Sequence, residues 1–549
     1  VVVALGMLAV VYAVVMTAHT WSGPFQPATQ ISHDPHALPE YAARSVLRIA
    51  IAYVLSLSFA LVYGYVAGTN ERAERWLVPL LDILQSIPVL SFLPPVMLAM
   101  IALVPGHQLG VELGSIVLIF TGQVWNLAFS FYSSLKSIPR ELSEAASIYR
   151  LSPLQRFLRL ELPFAAIGLV WNSMMSVAGG WFFLMACEMF VLGNRDFRLP
   201  GLGSYLQSAA NAGDMRAIGW GMATMVGIIV ATDQLLWRPI IAWSDKFKFE
   251  QVEGGDVPRS AVLLALRRSH LLRAIGRVLA PLSERLMAAS TRSARPAGGA
   301  AMKGVGWLAA GVGALLAAYG AARALGQLAT LSGTQVTEIL RGAAASFVRV
   351  NGTLLLAALW TVPVGVAIGL RPKLARIMQP LVQIAASVPA TALFPVLLLM
   401  LIRAGGGLGI GSVLLMLLGT QWYVLFNVIA GAMAIPSDLK EAAWLYRLGT
   451  VQRWRVLILP SIFPYLITGM VTASGGAWNA SVVAEYVHFN GQVYSTVGLG
   501  AVIAAATDSG QFAVVLAATV VMSTLVVTVN RLLWRRMYGL AQTKYKLET

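Results

Sequence analysis

The sequence predicts an all-α polytopic membrane protein of about twelve transmembrane helices, arranged as two tandem copies of one six-helix unit. Three observations predict it. The chain is 57% hydrophobic and only 12% charged, with a mean hydropathy of +0.71, whereas a soluble domain carries about 25% charged residues. Apolar runs as long as a spanning helix, about 20 residues, recur from end to end. The two halves also repeat each other at a fixed offset. This composition excludes a soluble enzyme, a disordered regulator and a disulfide-stapled secreted domain. The single cysteine, Cys187, lies inside an apolar run and reads as a small buried hydrophobe.

The runs of the first half fall at 1–19, 44–68, 80–104, 112–134, 163–192 and 216–238. Those of the second fall at 305–325, 344–370, 381–403, 408–433, 460–487 and 512–535. The chain begins at Val1, so a short preceding piece is expected. The first run lacks a small-residue cleavage site and reads as an anchor. Twelve spans put both termini on one side, and basic residues choose it. Segment 136–161 carries Lys136, Arg140, Arg150, Arg156 and Arg159, and the tail carries Arg531, Arg535, Arg536, Lys544 and Lys546. The stretch 239–304 holds eleven basic residues against five acidic ones. All three fall on the same side, which is therefore expected to be cytoplasmic. The net charge of +16 thus reads as membrane topology, and nucleic acid is not an expected partner.

The repeat is detailed. Glu144-Ala145-Ala146 through Tyr149-Arg150-Leu151 and on to Leu162-Pro163 returns as Glu441-Ala442-Ala443 through Tyr446-Arg447-Leu448 and Leu459-Pro460, 297 residues later. The same offset pairs Trp125 with Trp422, Trp181 with Trp478, Glu188 with Glu485 and Gly201-Leu202-Gly203 with Gly498-Leu499-Gly500. Upstream the offset is 301, pairing Arg48 with Arg349, Pro88 with Pro389 and Pro94 with Pro395; four extra residues near 105–113 account for the change. Six is even, so both copies have the same orientation and should pack about an axis along the membrane normal. The division expected is a first repeat at 1–240, a basic linker at 241–304 and a second repeat at 305–549. Within the linker, 260–290 alternates leucines and arginines at helical spacing. That pattern reads as an interfacial helix on an anionic leaflet, with a flexible tether as the alternative.

The repeated Glu-Ala-Ala segment is polar, helical and cytoplasmic in this topology. Glu144 and Glu441 near a helix start suit its positive end. The paired alanines offer a smooth face, and Pro163 and Pro460 are expected to force a corner into the next span. The expected product is a rigid knob able to transmit a push from a cytoplasmic partner.

This segment resembles the EAA loop of the membrane subunits of ATP-binding-cassette importers: Glu-Ala-Ala, three residues, Gly, nine residues, an aliphatic, any residue, Leu-Pro. Both copies match from Glu144 to Pro163 and from Glu441 to Pro460, with Arg150 and Arg447 standing where that pattern has glycine. The Trp181–Glu188 and Trp478–Glu485 segments, each followed by Gly-Leu-Gly, resemble the nitrate, sulfonate, taurine and bicarbonate branch and its duplicated permeases. The resemblance implies a type I, methionine-importer-like permease of the bacterial cytoplasmic membrane. It implies two ATP-binding subunits docked on Glu144, Ala145, Ala146, Arg150 and Pro163 and on Glu441, Ala442, Ala443, Arg447 and Pro460. It also implies an external solute-binding protein and a small-anion substrate. No GxxxxGK[ST] phosphate loop occurs in the chain. No cofactor is therefore expected in it, ATP and magnesium belonging to the partner subunits, and the chain is not expected to be an enzyme.

Candidate pathway or gate residues are Trp125, Asn126, Gly179, Trp181 and Glu188 in the first half, and Trp422, Gly476, Trp478, Asn479 and Glu485 in the second. Ionisable groups at membrane depth are costly and face a cavity or a partner. Glu188 and Glu485 accordingly read either as gate lining or as ion-pair partners of Arg48 and Arg349. The six histidines show no metal-ligand spacing, so no metal is expected. An ion-coupled secondary transporter, which also has two parallel six-helix halves, is the alternative, but it does not need an EAA loop.

Overall fold

The computed structural model describes residues 31–105, 108–192, 195–247, 318–403, 405–489 and 492–544, with 311 and 315. The first predicted span at 1–19 and the linker helix at 260–290 lie outside the described residues, as does most of 305–318. Within them the chain is helical, in two matching series. The first runs α1 (Leu38–Thr69), α2 (Glu71–Ser86), α3 (Leu93–Leu103), α4 (Gln108–Lys136), α5 (Arg140–Ile148) and α6 (Pro153–Glu188). A hairpin of β1 (Val191–Leu192) and β2 (Arg195–Asp196), then α7 (Leu202–Asn211) and α8 (Met215–Ser244), complete it. The second repeats it as α9 (Gly333–Gly369), α10 (Pro372–Ser387), α11 (Ala390–Arg403), α12 (Leu408–Met433), α13 (Ser437–Leu445) and α14 (Thr450–Ala484). Its hairpin is β3 (Tyr486–Phe489) with β4 (Gln492–Ser495), followed by α15 (Leu499–Asp508) and α16 (Phe512–Ala541). Both hairpins are antiparallel. Eight of these helices are long and apolar enough to cross a membrane.

The predicted spans at 80–104 and 381–403 are not straight. In the first half, residues 71–85 and 89–103 meet at 85°. The second half has the same interruption, with Val388 extended (φ −72°, ψ 117°) between α10 and α11. The cause is local: Pro88 and Pro389 disfavour helical backbone in the residue before them, and Ile87 is extended too (φ −85°, ψ 127°). Hydropathy runs unbroken through these prolines, so a window average does not see the bend.

In each half one helix is the hub. α4 packs against α1 and α6, and α12 against α9 and α14. Repeated glycines let the hub approach closely. Gly64 and Gly68 of α1 lie on Phe131 and Leu135 of α4, and their counterparts Gly365 and Gly369 of α9 lie on Val428 and Ala432 of α12. Such small-xxx-small stripes bring backbones together where lipid supplies no hydrophobic drive. The bent helices then interlock the halves: α11 packs on α6 and α7, α2 on α16, and α10 on α8. The core of the first half accordingly takes in Ala392, Leu398, Leu408 and Phe489 from the second. Hydrogen bonds cross the junction as well, from the Leu90 amide to Asn479 Oδ1 (3.3 Å) and from Gln207 Nε2 to the His488 carbonyl (2.9 Å).

Candidate coupling and pathway site

At one end of the bundle stand the two Glu-Ala-Ala knobs. α5 ends in a paired cap, Arg150 N–H to the Ser147 carbonyl (3.0 Å) and Leu151 N–H to Ala146 (3.1 Å); α13 ends identically, Arg447 to Trp444 (2.9 Å) and Leu448 to Ala443 (3.1 Å). This closure needs a left-handed residue, and Arg150 and Arg447 supply it, both at φ 49°. The bend is therefore kept where arginine replaces the glycine of the EAA pattern, at a cost of roughly 1–2 kcal/mol each. Ser152 then starts α6 with a reciprocal cap to Gln155 (3.3 and 3.0 Å).

The corner expected at Pro163 and Pro460 falls instead at these arginines. The helix passes both prolines without breaking, because a wide i+5 turn precedes each: Phe157–Glu161 and Trp454–Ile458. The wider turn takes the proline ring clear of the preceding carbonyl. Ala146 and Ala443 are buried against the bundle, Ala145 and Ala442 half-buried, and Glu144 and Glu441 exposed. Beside them Tyr149 is 79% exposed and Tyr446 81%, with Ile148, Trp444 and Leu445 equally bare. Each knob thus presents an apolar tip, rimmed by charge, on a fixed corner.

At the other end of α6 and α14 lie Glu188 and Glu485, both fully buried. Arg48 of α1 donates to Glu188 (2.6 Å) and to the Pro200 carbonyl (2.9 Å), and it forks onto Glu112 of α4 (2.5 and 2.6 Å). Ser45 Oγ donates to Glu188 (2.6 Å) and accepts from the Leu202 amide (3.0 Å), while the Gly203 amide donates to Glu188 (2.7 Å). The second half repeats the arrangement. Arg349 Nη1 pairs with Glu485 (2.5 Å), Ser346 Oγ donates to it (2.7 Å), and the Gly500 amide reaches it (2.8 Å). Each carboxylate therefore sits on a helix N-terminus, where amides and the helix dipole favour negative charge. The Gly-Leu-Gly repeat is a matter of space: a Cβ on Gly201 or Gly498 would run into the carboxylate. The halves differ in one respect, since Glu112 lies where the offset changes and residues 405–411 of the second half carry no acid. Nearby, burial and a 2.7 Å hydrogen bond to Asp508 hold the Tyr486 hydroxyl well above its ordinary range.

The structure therefore separates the ten candidate pathway residues. Glu188 and Glu485 are ion-paired. Trp181 and Trp478 are buried in the cores, and Trp125 packs against the cluster of Ala60, Leu81, Leu127 and Ala128 and beside the Phe59 ring (6.5 Å between centroids). Asn126 is exposed. Gly179, Trp422, Gly476 and Asn479 come together on a cavity of about 430 Å³ between the halves. Sequence reasoning missed Ser45 and Ser346, though the offset of 301 pairs them one turn before the arginines. It also missed Tyr423 and Phe182 on the cavity wall, which no repeat marks.

The geometry is thus a duplicated membrane bundle with a knob at one end of each half. The family model for the inner membrane component of binding-protein-dependent transport systems matches twice, over residues 56–235 and 361–538. The chain belongs to that family. Among curated relatives of this inner membrane component, it is 30% identical over 202 residues to the taurine transport system permease protein TauC of Escherichia coli (strain K12), covering 36% of this chain and 70% of that one. It is 27% identical over 189 residues to the nitrate import permease protein NrtB of Leptolyngbya laminosa (34% and 64%). It is 27% identical over 143 residues to the bicarbonate transport system permease protein CmpB of Synechococcus elongatus (26% and 50%). The chain thus spans between half and about two thirds of the length of these relatives.

Gly201→Ala and Gly498→Ala should each lower thermal stability in detergent, by about 1–3 kcal/mol as for other overpacked sites. Exchanging the charges, Arg48→Glu with Glu188→Arg, should recover nothing over Glu188→Ala, because the Gly203 amide needs an acceptor; recovery would show that charge alone holds the site. At the knobs, Arg150→Gly and Arg447→Gly should leave stability equal or higher. Arg150→Val should lower it by more than Arg150→Gly in the same melt, since a β-branched residue resists positive φ.

Proposed function

We propose that this chain is the permease of an ATP-driven importer for a small anion. In this reading two cytoplasmic ATP-binding subunits grip the knobs and an external solute-binding protein delivers substrate to the opposite end. The observation that carries the reading is the twofold occurrence of a bare apolar tip, Ile148-Tyr149 and Leu445-Tyr446, on a rigid corner at the same end of each half. An exposed aromatic anchor with a charged rim is the anatomy of a docking hot spot, and two equivalent ones fit two copies of one partner. Membership of a binding-protein-dependent transport family supports both partners. The anion assignment draws on the nitrate, taurine and bicarbonate permeases that the chain resembles.

Coupling follows from the connection. α6 runs unbroken from the knob corner to Glu188, and α14 from its corner to Ala484, beside Glu485. Closure of the ATP-binding subunits would move the two corners together, and each long helix would carry that displacement to the far end of its half. ATP and magnesium would be held by those partners. Both termini and the linker would lie on the cytoplasmic side, in keeping with the basic residues there.

Glu144→Lys combined with Glu441→Lys is expected to abolish co-purification of the ATP-binding subunits and ATP-driven uptake. Tyr149→Ala and Tyr446→Ala should each weaken that binding about tenfold or more. Undiminished co-purification and uptake in the charge-reversed protein would contradict the reading.

A further inference from the structure

The cavity between the halves is not symmetric, although the chain is duplicated. Its walls come from α6 on one side and from α12, α14 and the bend between α10 and α11 on the other. Among the described lining residues there is no Lys, Arg, His, Asp or Glu. The polar groups present are neutral: the Trp171 and Trp422 indoles, the Tyr423 hydroxyl and the Asn427 and Asn479 amides. The two amides are already engaged. Asn427 donates to the Tyr423 carbonyl (2.8 Å); Asn479 donates to Gly475 (3.0 Å) and accepts from the Leu90 amide (3.3 Å). The Tyr423 hydroxyl has no hydrogen-bond partner among the described residues and lies 3.9 Å from where a Gly179 Cβ would be. Indole nitrogens only donate. The free polar capacity of the wall is therefore neutral and mostly donating: two indole N–H groups and the Tyr423 hydroxyl, with the Asn427 Oδ1 as an acceptor, set among Phe182, Phe426 and the two tryptophans.

The equivalent positions of the first half do not supply this set. Tyr423 corresponds to Asn126, Asn479 to Phe182 and Ala480 to Phe183. The Phe183 ring lies directly on Gly122 and fills the groove between α4 and α6. At the corresponding Gly419 a Cβ would meet only Ala390, at 3.5 Å. Duplication has thus been followed by divergence, which left an open, aromatic groove between α6 and the second half.

Resting on the transport reading above, we propose that the solute binds in this groove, with its acceptor group on the Tyr423 hydroxyl, and that it is an organic anion with an apolar body rather than an inorganic one. A site of about 430 Å³ is in the range for organic ligands, which bury most of their surface against apolar walls. A bare inorganic ion would leave most of it unfilled. Neutral donors recognise a charged oxygen without the deep electrostatic trap that a lysine or arginine would make, so a bound solute can still leave.

The test uses the full chain in nanodiscs with its ATP-binding partners, carrying Ala178→Cys on the cavity wall, labelled with N-ethylmaleimide. The wild-type chain, whose Cys187 is fully buried, gives the background rate. Benzoate serves as the organic-anion probe, and nitrate at equal concentration as the inorganic one. The expected result is labelling at residue 178 that benzoate slows strongly and nitrate does not. Adding Tyr423→Phe should require about tenfold more benzoate for the same protection, the worth of one hydrogen bond to a charged group. Absence of labelling, equal protection by both anions, or unchanged protection in Tyr423→Phe would overturn the inference. Co-purification of the ATP-binding subunits, read in the same samples, separates the two ideas. Its retention while protection fails removes this inference and leaves the transport reading standing, and its loss while protection persists does the reverse.

Discussion

One buried carboxylate in each half sets the mechanical character of this protein. Glu188 ties the far end of α6 to α1 through Arg48 and Ser45, and to the start of α7 through the Gly203 amide. Glu485 does the same for α14, α9 and α15. A carboxylate at this depth is tolerated only because a cation, a hydroxyl and an amide all converge on it. Removing one member of such a pair costs about 3–5 kcal/mol, because the other is left charged and unpaired. The constraint explains several residues at once. The glycines of Gly-Leu-Gly leave room for the carboxylate, and the serine one turn before the arginine completes its hydrogen bonding.

The rest of each half hangs from that point. α6 is 36 residues long, so at 1.5 Å per residue it spans about 54 Å, from Pro153, just past the left-handed corner, to the buried knot at Glu188. The wide turn before Pro163 keeps it continuous, and the left-handed arginine sets the angle at which the knob leaves it. Glycine stripes on α1 and α9 seat the hub helices against their neighbours. The parts between the ends are therefore packed rather than loose. Each knob is thus joined to the far end of its half by one continuous helix, and the bent helices interlock the two halves.

Much of this was legible because the chain is written twice. A lone Arg48 or Glu188 in an apolar run says little, but the recurrence of Arg349 and Glu485 in register marks all four residues and the Gly-Leu-Gly beside them. The knobs were legible for the same reason. What the sequence hid has physical causes. The bends at Pro88 and Pro389 lie inside runs whose average hydropathy never falls. The left-handed turn is formed by arginine, which carries none of glycine's conformational signature, so the corner was expected at the prolines instead. Ser45 and Ser346 are small and neutral, and a serine in an apolar helix reads as filler. Tyr423 and Phe182 are invisible to the repeat, since their counterparts are Asn126 and Asn479, and the cavity is made where the halves differ.

In the transport mechanism proposed above, each half moves as a rigid unit, held at one end by its buried carboxylate and driven from the other. Distances between spin labels test it most directly, measured in the complex with and without trapped ATP. Labels at Arg44→Cys and Met215→Cys lie within the first half, both at exposed positions; Met215→Cys with Val493→Cys spans the two halves. Rigid halves should show an unchanged distance within the half and a changed distance between halves. A change within the half, with the distance between halves constant, would contradict it.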